Sequence, residues 1–414
     1  MRLPSLAAAG AFHSWVAQGE ARRFLPLLLY GLVLMLALVS LGMFGWSRTW
    51  AWLGIGAMEP VFADMRTVQA AVMAAAHDGM GNMLQAADPW GRPLNYPRIW
   101  VAIGQALGIG AETHFLAACI VLVAAFVACC AKLLQDHPSL PLLLALLSSS
   151  ALLGIERGNN DLLVFVLLYV FALRLTGWAG LAAISVATLL KLYPLFALAG
   201  LAIARQWKRL LLAAAIALAA GLHFIDQIVS LKALAPVSID MAYGLPGTLL
   251  LIGGDAFATA MFFAFLVLAA GAAYRLARHL PAPPPASMGQ AYRLFLVGAS
   301  IYCGTYLTAS NYHYRAVFLA LCIPFLRDAG GKYGWLLIGL ILVTMNMDWL
   351  HHPRMLGLFI VDGFHPLTER LWFHLYRLPD HLAKGLLFSL LSGTLLQHLV
   401  RSRADVTKIV TRGR

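Results

Sequence analysis

Two carboxylates, Asp64 and Asp88, stand in a polar stretch between the first long apolar run of the chain and the second. An acid on the first outer loop of a many-span protein is a candidate general base. Asp64 lies in EPVFADMRTV, where a helical pattern begins, and a helix N-terminus favours a negative charge. Capping that helix, or pairing with Arg66, would account for it equally well. Asp88 opens DPWG, and an Asp at the first position of a tight turn needs no further role.

Cationic and amide side chains occur at three other breaks in the apolar pattern. Glu156, Arg157, Gly158, Asn159, Asn160 and Asp161 interrupt two apolar runs. Charges at a membrane boundary are costly unless they pair or meet a polar ligand. Lys191, Tyr193 and Pro194 close a neighbouring run; the alternative for Lys191 is simple snorkelling. In SNYHYR, residues 310 to 315, His313 and Arg315 flank Tyr314 and follow Tyr312. Arg as a bidentate fork and His as a switchable donor suit a phosphate. Together these residues suggest a site for an anionic lipid headgroup opposite one base. Adjacent His351 and His352, near Asp348 and Arg354, are poorly spaced to ligate one metal ion.

The elements that carry these residues are apolar. Of 414 residues, 61% are hydrophobic and 12% charged, and the mean hydropathy is +0.78. A soluble domain has about 25% charged residues. Apolar runs fall at 25–45, 112–133, 140–155, 161–176, 177–192, 194–204, 209–225, 248–275, 291–309, 316–326, 333–348 and 382–400. Crossing a bilayer takes ~20 residues, so the fold class is an all-α polytopic membrane protein of about 10–13 spans. Pro194 and Pro324 permit half-helices in the two shortest runs. A basic lead (1–24), a membrane domain (25–400) and a basic tail (401–414) follow, with a Pro-rich inner linker at 278–290. Long outer segments are expected at 46–98 and 349–381. In the first, helical spacing predicts one or two interfacial helices, with a further one over 97–110 and Trp46, Trp52, Trp90 and Trp100 at headgroup level.

With the N-terminus inside, the inner segments hold 18 of the 30 basic residues, as the positive-inside rule requires. Both termini are then cytoplasmic, and 14 of the 18 acids lie on or near the outer side. The net charge of +12 needs no nucleic acid, because it is mostly a cytoplasmic rim facing anionic lipid. All five cysteines fall in apolar runs, without the spacing of a metal site or a disulfide framework. No phosphate-binding loop, dinucleotide fingerprint or nucleophile elbow is present.

In the order of these elements the chain resembles the GT-C membrane glycosyltransferases, and most closely glycosyltransferase family 87, the polyprenol-phosphate-mannose-dependent α-mannosyltransferases. The resemblance rests on an early Asp (Asp64), a turn ending in Tyr96 and Pro97, the Arg157-Gly158-Asn159 hairpin, the Lys191-x-Tyr193-Pro194 span end and a late His313. Where the family hairpin often reads Arg-Gly-Gln-x-Asn, this one has Asn159, Asn160 and Asp161. Met65 follows Asp64 where the superfamily carries a second acid, so the resemblance implies no metal or other cofactor.

The resemblance implies an inverting transfer of a hexose, mannose favoured, from a polyprenyl-phosphate-sugar donor to a lipid-linked or glycolipid acceptor on the non-cytoplasmic face of the cell membrane. Asp64 would be the base. His313, Arg315, Lys191 and Arg157 would hold the donor phosphate, while Asp88, Tyr96, Asn159, Asn160, Tyr193 and Tyr312 would contact substrate. A lipid-phosphate donor fits the lack of a soluble nucleotide-binding domain. A transporter or flippase of lipid-linked glycans would share the spans and the cationic pocket, but calls for internal repeats and charges along a through-path. An O-antigen ligase or polymerase would carry a larger late outer loop than 349–381.

Overall fold

A chain buried in hydrocarbon must satisfy its own backbone hydrogen bonds, so apolar runs of this length resolve as helices. In the computed structural model, which describes residues 6–78, 86–223, 242–281, 288–308, 311–347 and 377–412, they do. The first half comprises α1 (Leu6–Phe44), α2 (Trp46–Trp52), α3 (Ala63–Asp78), α4 (Ile99–Ala106), α5 (Glu112–Asp136), α6 (Leu140–Leu146), α7 (Ser149–Arg157), α8 (Asp161–Leu173) and α9 (Trp178–Leu190). After a 3₁₀ turn (Tyr193–Ala197) come α10 (Leu198–Ile203), α11 (Trp207–His223), α12 (Leu245–Leu251), α13 (Ala256–Leu276) and α14 (Gln290–Thr308). A 3₁₀ segment (His313–Cys322) then leads to α15 (Ile323–Ala329), α16 (Gly331–Met345) and α17 (Leu378–Arg412). Among the described residues the paired strand is confined to two residues each of β1 (Ala242–Tyr243) and β2 (Asn311–Tyr312), which run antiparallel.

Among the described residues, five stretches are long and apolar enough to cross a membrane: Phe24–Phe44, Glu112–Asp136, Leu140–Arg157, Ala256–His279 and Leu378–Ser402. Four shorter apolar helices accompany them, in an all-α polytopic membrane fold. The stretch over 140–155 breaks at Leu147, because Ser148 caps α7 by accepting from the Ala151 N–H. The two shortest runs begin as 3₁₀ turns, with Pro194 and Pro324 in first-turn positions where a missing N–H is harmless. Burial separates the helices: 72% of the Leu140–Arg157 window is inside the protein, against 6% of Phe24–Phe44. The outer helices approach the core closely where side chains are small. At Gly393 a Cβ would stand 2.2 Å from the Ala270 carbonyl, so α17 can lie against α13 only as glycine.

Between the first two apolar runs lie α2, α3 and α4, and α3 packs a hydrophobic face (Met65, Val68, Val72) on Trp100, Phe115 and Cys119. The tryptophans divide. Trp52 is exposed, as an interfacial anchor would be. Trp100 instead is buried and donates to the Leu190 carbonyl at 3.0 Å, and Trp46 donates to Glu156 at 3.2 Å. An indole N–H placed in the interior needs an acceptor, and these two found one within the protein.

The two ends of the bundle gather different sets of polar side chains. At the end where α5 begins, the Met58 N–H meets Glu156, Arg66 meets Glu112, Asp64 meets Asn159, Trp100 meets the Leu190 carbonyl and Arg315 meets Asp161. At the end where α5 finishes, Lys132 and Gln290 meet Asp136, Arg327 donates to the Pro138 carbonyl, and Arg401 donates to the Leu280 carbonyl. At ~1.5 Å per residue a helix of 25 residues separates those ends by roughly 37 Å.

Candidate active site

The hairpin between α7 and α8 organises the site. Gly158 ends α7 in the left-handed region at φ 57, and a Cβ there would stand 2.9 Å from that of Phe62. Only glycine meets both conditions. Asn159 follows, fully buried, and its Oδ1 accepts from the Asp161 N–H at 2.8 Å, which starts α8. The other face of the same amide is free to reach across to α3, where Nδ2 donates to Asp64 Oδ2 at 2.6 Å.

Asp64 therefore neither pairs with Arg66 nor turns back to cap α3. Arg66 is taken by Glu112, through bonds of 2.6 and 2.7 Å, and lies 4.2 Å from the centre of the Phe115 ring. Asp64, 9% exposed, receives Arg92 on Oδ1 at 3.2 Å as well as Asn159 on Oδ2. Each carboxylate oxygen keeps a lone pair for another donor. Arg92 was not singled out in the sequence. It is held by Asp88, which accepts from the Arg92 N–H and Nε at 2.8 Å each and from the Trp90 N–H at 3.0 Å. Asp88 thus closes its turn and places the guanidinium beside Asp64. Burial opposes charge on Arg92, but Asp64 and then Asp88 outweigh it and hold the guanidinium above its ordinary value. Tyr96, whose hydroxyl lies 3.4 Å from Asn159 Nδ2, is pushed well above the usual phenol range by burial and then by Asp64. It is a neutral hydroxyl at physiological pH.

Across Asn159 the charge reverses. Asp161, 1% exposed, is bound by Lys191 on Oδ1, by the Tyr193 hydroxyl on the same oxygen at 2.7 Å, and by Arg315 Nε on Oδ2 at 3.2 Å. Lys191 Nζ is also 3.4 Å from Asn159 Oδ1 and 4.9 Å from the centre of the Tyr96 ring. Arg315 stacks over Tyr193 at 4.6 Å and donates to Asn311. One amide thus links a half with two carboxylates and one cation to a half with one carboxylate and two cations. Asn160 is also fully buried, and neither end of its amide has a hydrogen-bond partner among the described residues.

The remaining predicted residues lie further out. Arg157 is committed to Glu156, at 2.9 Å, and to the Gly56 carbonyl, at 3.1 Å. Glu156 also accepts from the Met58 N–H at 2.8 Å, so this pair ties the segment before α3 to the end of α7. His313 turns away from Asp161: its Nε2 lies 2.5 Å from Lys384 Nζ, which contacts Asp380 at 2.6 Å. Tyr312 is 40% exposed and stacks on Tyr314 with centres 5.8 Å apart. The 348–354 cluster lies outside the described residues.

Sequence reasoning did not assign roles to Asp161, Glu156, Arg92, Asp380 or Lys384. Asp161 and Glu156 were visible as charges at a boundary; Lys384 was hidden inside an apolar run. Residues 96–225, from Tyr96 through the hairpin and Lys191 to the end of α11, match the family model of glycosyltransferase family 87. The resemblance to family 87 is borne out. It supports a membrane glycosyltransferase, a transferase that uses a sugar donor and an acceptor. The match holds Tyr96, Asn159, Asp161, Lys191 and Tyr193, while Asp64, His313 and Arg315 fall outside it. No curated protein and no solved structure matches the chain.

Proposed function

We propose that this membrane glycosyltransferase moves a hexose, mannose favoured, from a polyprenyl-phosphate-sugar to a lipid-linked or glycolipid acceptor, with inversion. The observation that carries the reading is the charge reversal across Asn159: its Nδ2 donates to Asp64, its Oδ1 accepts from Lys191, and Lys191 and Arg315 together hold Asp161. Asp64 takes the proton of the acceptor hydroxyl. The hydroxyl oxygen bonds to the anomeric carbon as the bond from that carbon to the phosphate oxygen breaks on the opposite side. The phosphate leaves with the bonding electron pair, and the excess cation beside Asp161 stabilises its charge.

In this reading Lys191 and Arg315 hold the phosphate directly. His313 contributes through its pairing with Lys384, and Arg157 fixes the approach of α3. Tyr96, Tyr193, Asn160 and Tyr312 line the way for the sugar, Asn160 with an amide ready to bind it. Asp88 acts through Arg92. The basic residues gathered at the far end of the bundle support cytoplasmic termini and an active face toward the periplasm or cell exterior, in the cell membrane.

The test is transfer of labelled sugar from polyprenyl phosphate by purified wild type, Asp64→Asn and Asp88→Asn, each eluting as a monodisperse peak. Asp64→Asn keeps shape but cannot take the proton, so turnover falls by about 10² to 10⁴. Near-normal turnover in Asp64→Asn with a dead Asp88→Asn would move the base to the other carboxylate. Activity in both would remove the enzyme mechanism.

A further inference from the structure

Beside the charged site, α1, α2, α5 and α7 enclose a wholly apolar groove of about 550 Å³. That is within the range of roughly 300–1,000 Å³ of small-ligand pockets. Leu38 of α1 and Ile120 of α5 belong to its wall and are 68% and 60% exposed, so the groove opens sideways between two helices whose outer faces are apolar. Trp46, Phe62 and Ile155 line it as well, at the end nearest the α7–α8 hairpin. Trp46 bonds to Glu156, the residue after Ile155. Phe62 packs on Gly158 and precedes Asp64 by two residues. No lining residue comes from the elements that bear Lys191 or Arg315. Through Phe62 the groove adjoins the Asp64 side of the site, and none of its lining comes from the cationic side.

We propose that this groove holds the hydrocarbon chain of the lipid acceptor, which places the acceptor's hydroxyl against Asp64. The proposal rests on the glycosyl transfer set out above and names where its second substrate is anchored. A hydrocarbon chain leaving the bilayer for a protein groove gains almost nothing from the hydrophobic effect, since lipid tails are equally apolar. What the groove contributes is placement: a chain fixed between α1 and α5 presents its head at one point, and a correctly oriented nucleophile reacts as though highly concentrated. A donor chain in the same groove would bring its phosphate to Asp64 and away from Lys191 and Arg315, which the charge arrangement opposes.

Ala37→Trp and Ala124→Trp each fill the groove from a different helix, while Leu36→Trp, on the same helix as Ala37 and outside the groove, is the control. Lipids that co-purify with each protein in mild detergent are extracted and identified by mass spectrometry. A glycosylated lipid should accompany wild type and Leu36→Trp and fall at least about threefold in both groove variants. In the transfer assay on membrane lipid extract, the groove variants should raise acceptor KM about tenfold and leave donor KM within about twofold. Bulk phospholipid alone, in membrane proportions in every sample, would overturn the proposal. So would selective loss of polyprenyl-phosphate-sugar, or an unchanged acceptor KM in monodisperse variants. The lipid measurement needs no turnover, so it separates failure of the groove from failure of Asp64 as base.

Discussion

The two halves of the site differ in one respect that organises everything else. Around Asp64, two carboxylates share the single guanidinium of Arg92; around Asp161, one carboxylate is shared by Lys191 and Arg315. The first half carries one negative charge in excess, the second one positive charge. Asn159 touches both with the two ends of one amide, donating to Asp64 and accepting from Lys191. An excess of negative charge suits a group that removes a proton. An excess of positive charge suits a phosphate that must leave. The difference teaches that the site is polarised before any substrate arrives, a fixed electrostatic arrangement of the kind that stabilises developing charge without reorganising.

The strongest way to break this comparison is to remove the carboxylate of the positive half. Asp161→Asn leaves Lys191 and Arg315 buried beside a neutral amide. Loss of one partner from a buried ionic cluster costs about 3–5 kcal/mol, so the thermal unfolding midpoint in detergent should fall sharply. A midpoint equal to wild type would mean that the two cations do not depend on Asp161.

Erasing the polarity from its centre is a smaller perturbation. Asn159→Asp places a second carboxylate against Asp64 and withdraws a hydrogen bond from it. Like charges sharing a site raise the pKa of one of them, so a base proposed at Asp64 should be lost to protonation at higher pH and activity should fall sooner as pH falls. The acid limb of the kcat/KM profile should move upward by at least about one unit, the equivalent of about 1.4 kcal/mol. An unmoved acid limb, with activity retained, would show that Asn159 does not set the environment of the base.

The smallest expected effect lies outside both halves. Trp100→Phe removes the bond to the Leu190 carbonyl, which joins α4 to the end of α9 next to Lys191. One neutral hydrogen bond is worth about 0.5–1.5 kcal/mol, so the midpoint should drop by a few degrees with turnover intact. A large loss of turnover would extend the site to α4.

The membrane helices were legible in the sequence because hydropathy depends only on local composition. The run at 112–133 became α5 (Glu112–Asp136), and the run at 161–176 became α8 (Asp161–Leu173). Asn159 and Lys191 were legible for the same reason, as polar residues that break or end apolar runs, and Asp64 as an acid in the polar stretch between two of them. Their pairings were not, because partners lie far apart in the chain: Asp64 and Asn159 are 95 residues apart, and Arg315 and Asp161 are 154 apart. Nothing in the sequence marks Arg92, because it is the fold of the turn at Asp88 that aims it at Asp64. Trp46 and Trp100 looked like headgroup anchors, since sequence composition cannot show which face of a short helix meets the protein. Lys384 lay in the run read as 382–400, where the surrounding leucines outweigh one charge and conceal its pairing with His313 and Asp380.

The central claim is that Asp64 and Lys191 do different work on the same reaction, and one experiment separates them. Purified Asp64→Asn and Lys191→Met are compared with wild type for kcat and donor KM in transfer from a labelled polyprenyl-phosphate-sugar. Asp64→Asn should lose about 10² to 10⁴ in kcat with donor KM nearly unchanged. Lys191→Met should weaken donor use by roughly 1.5–3 kcal/mol, about ten- to a hundredfold, seen mainly in donor KM. If both substitutions shift the same constant by the same factor, the two halves act as one unit and the division of labour between base and phosphate site is contradicted.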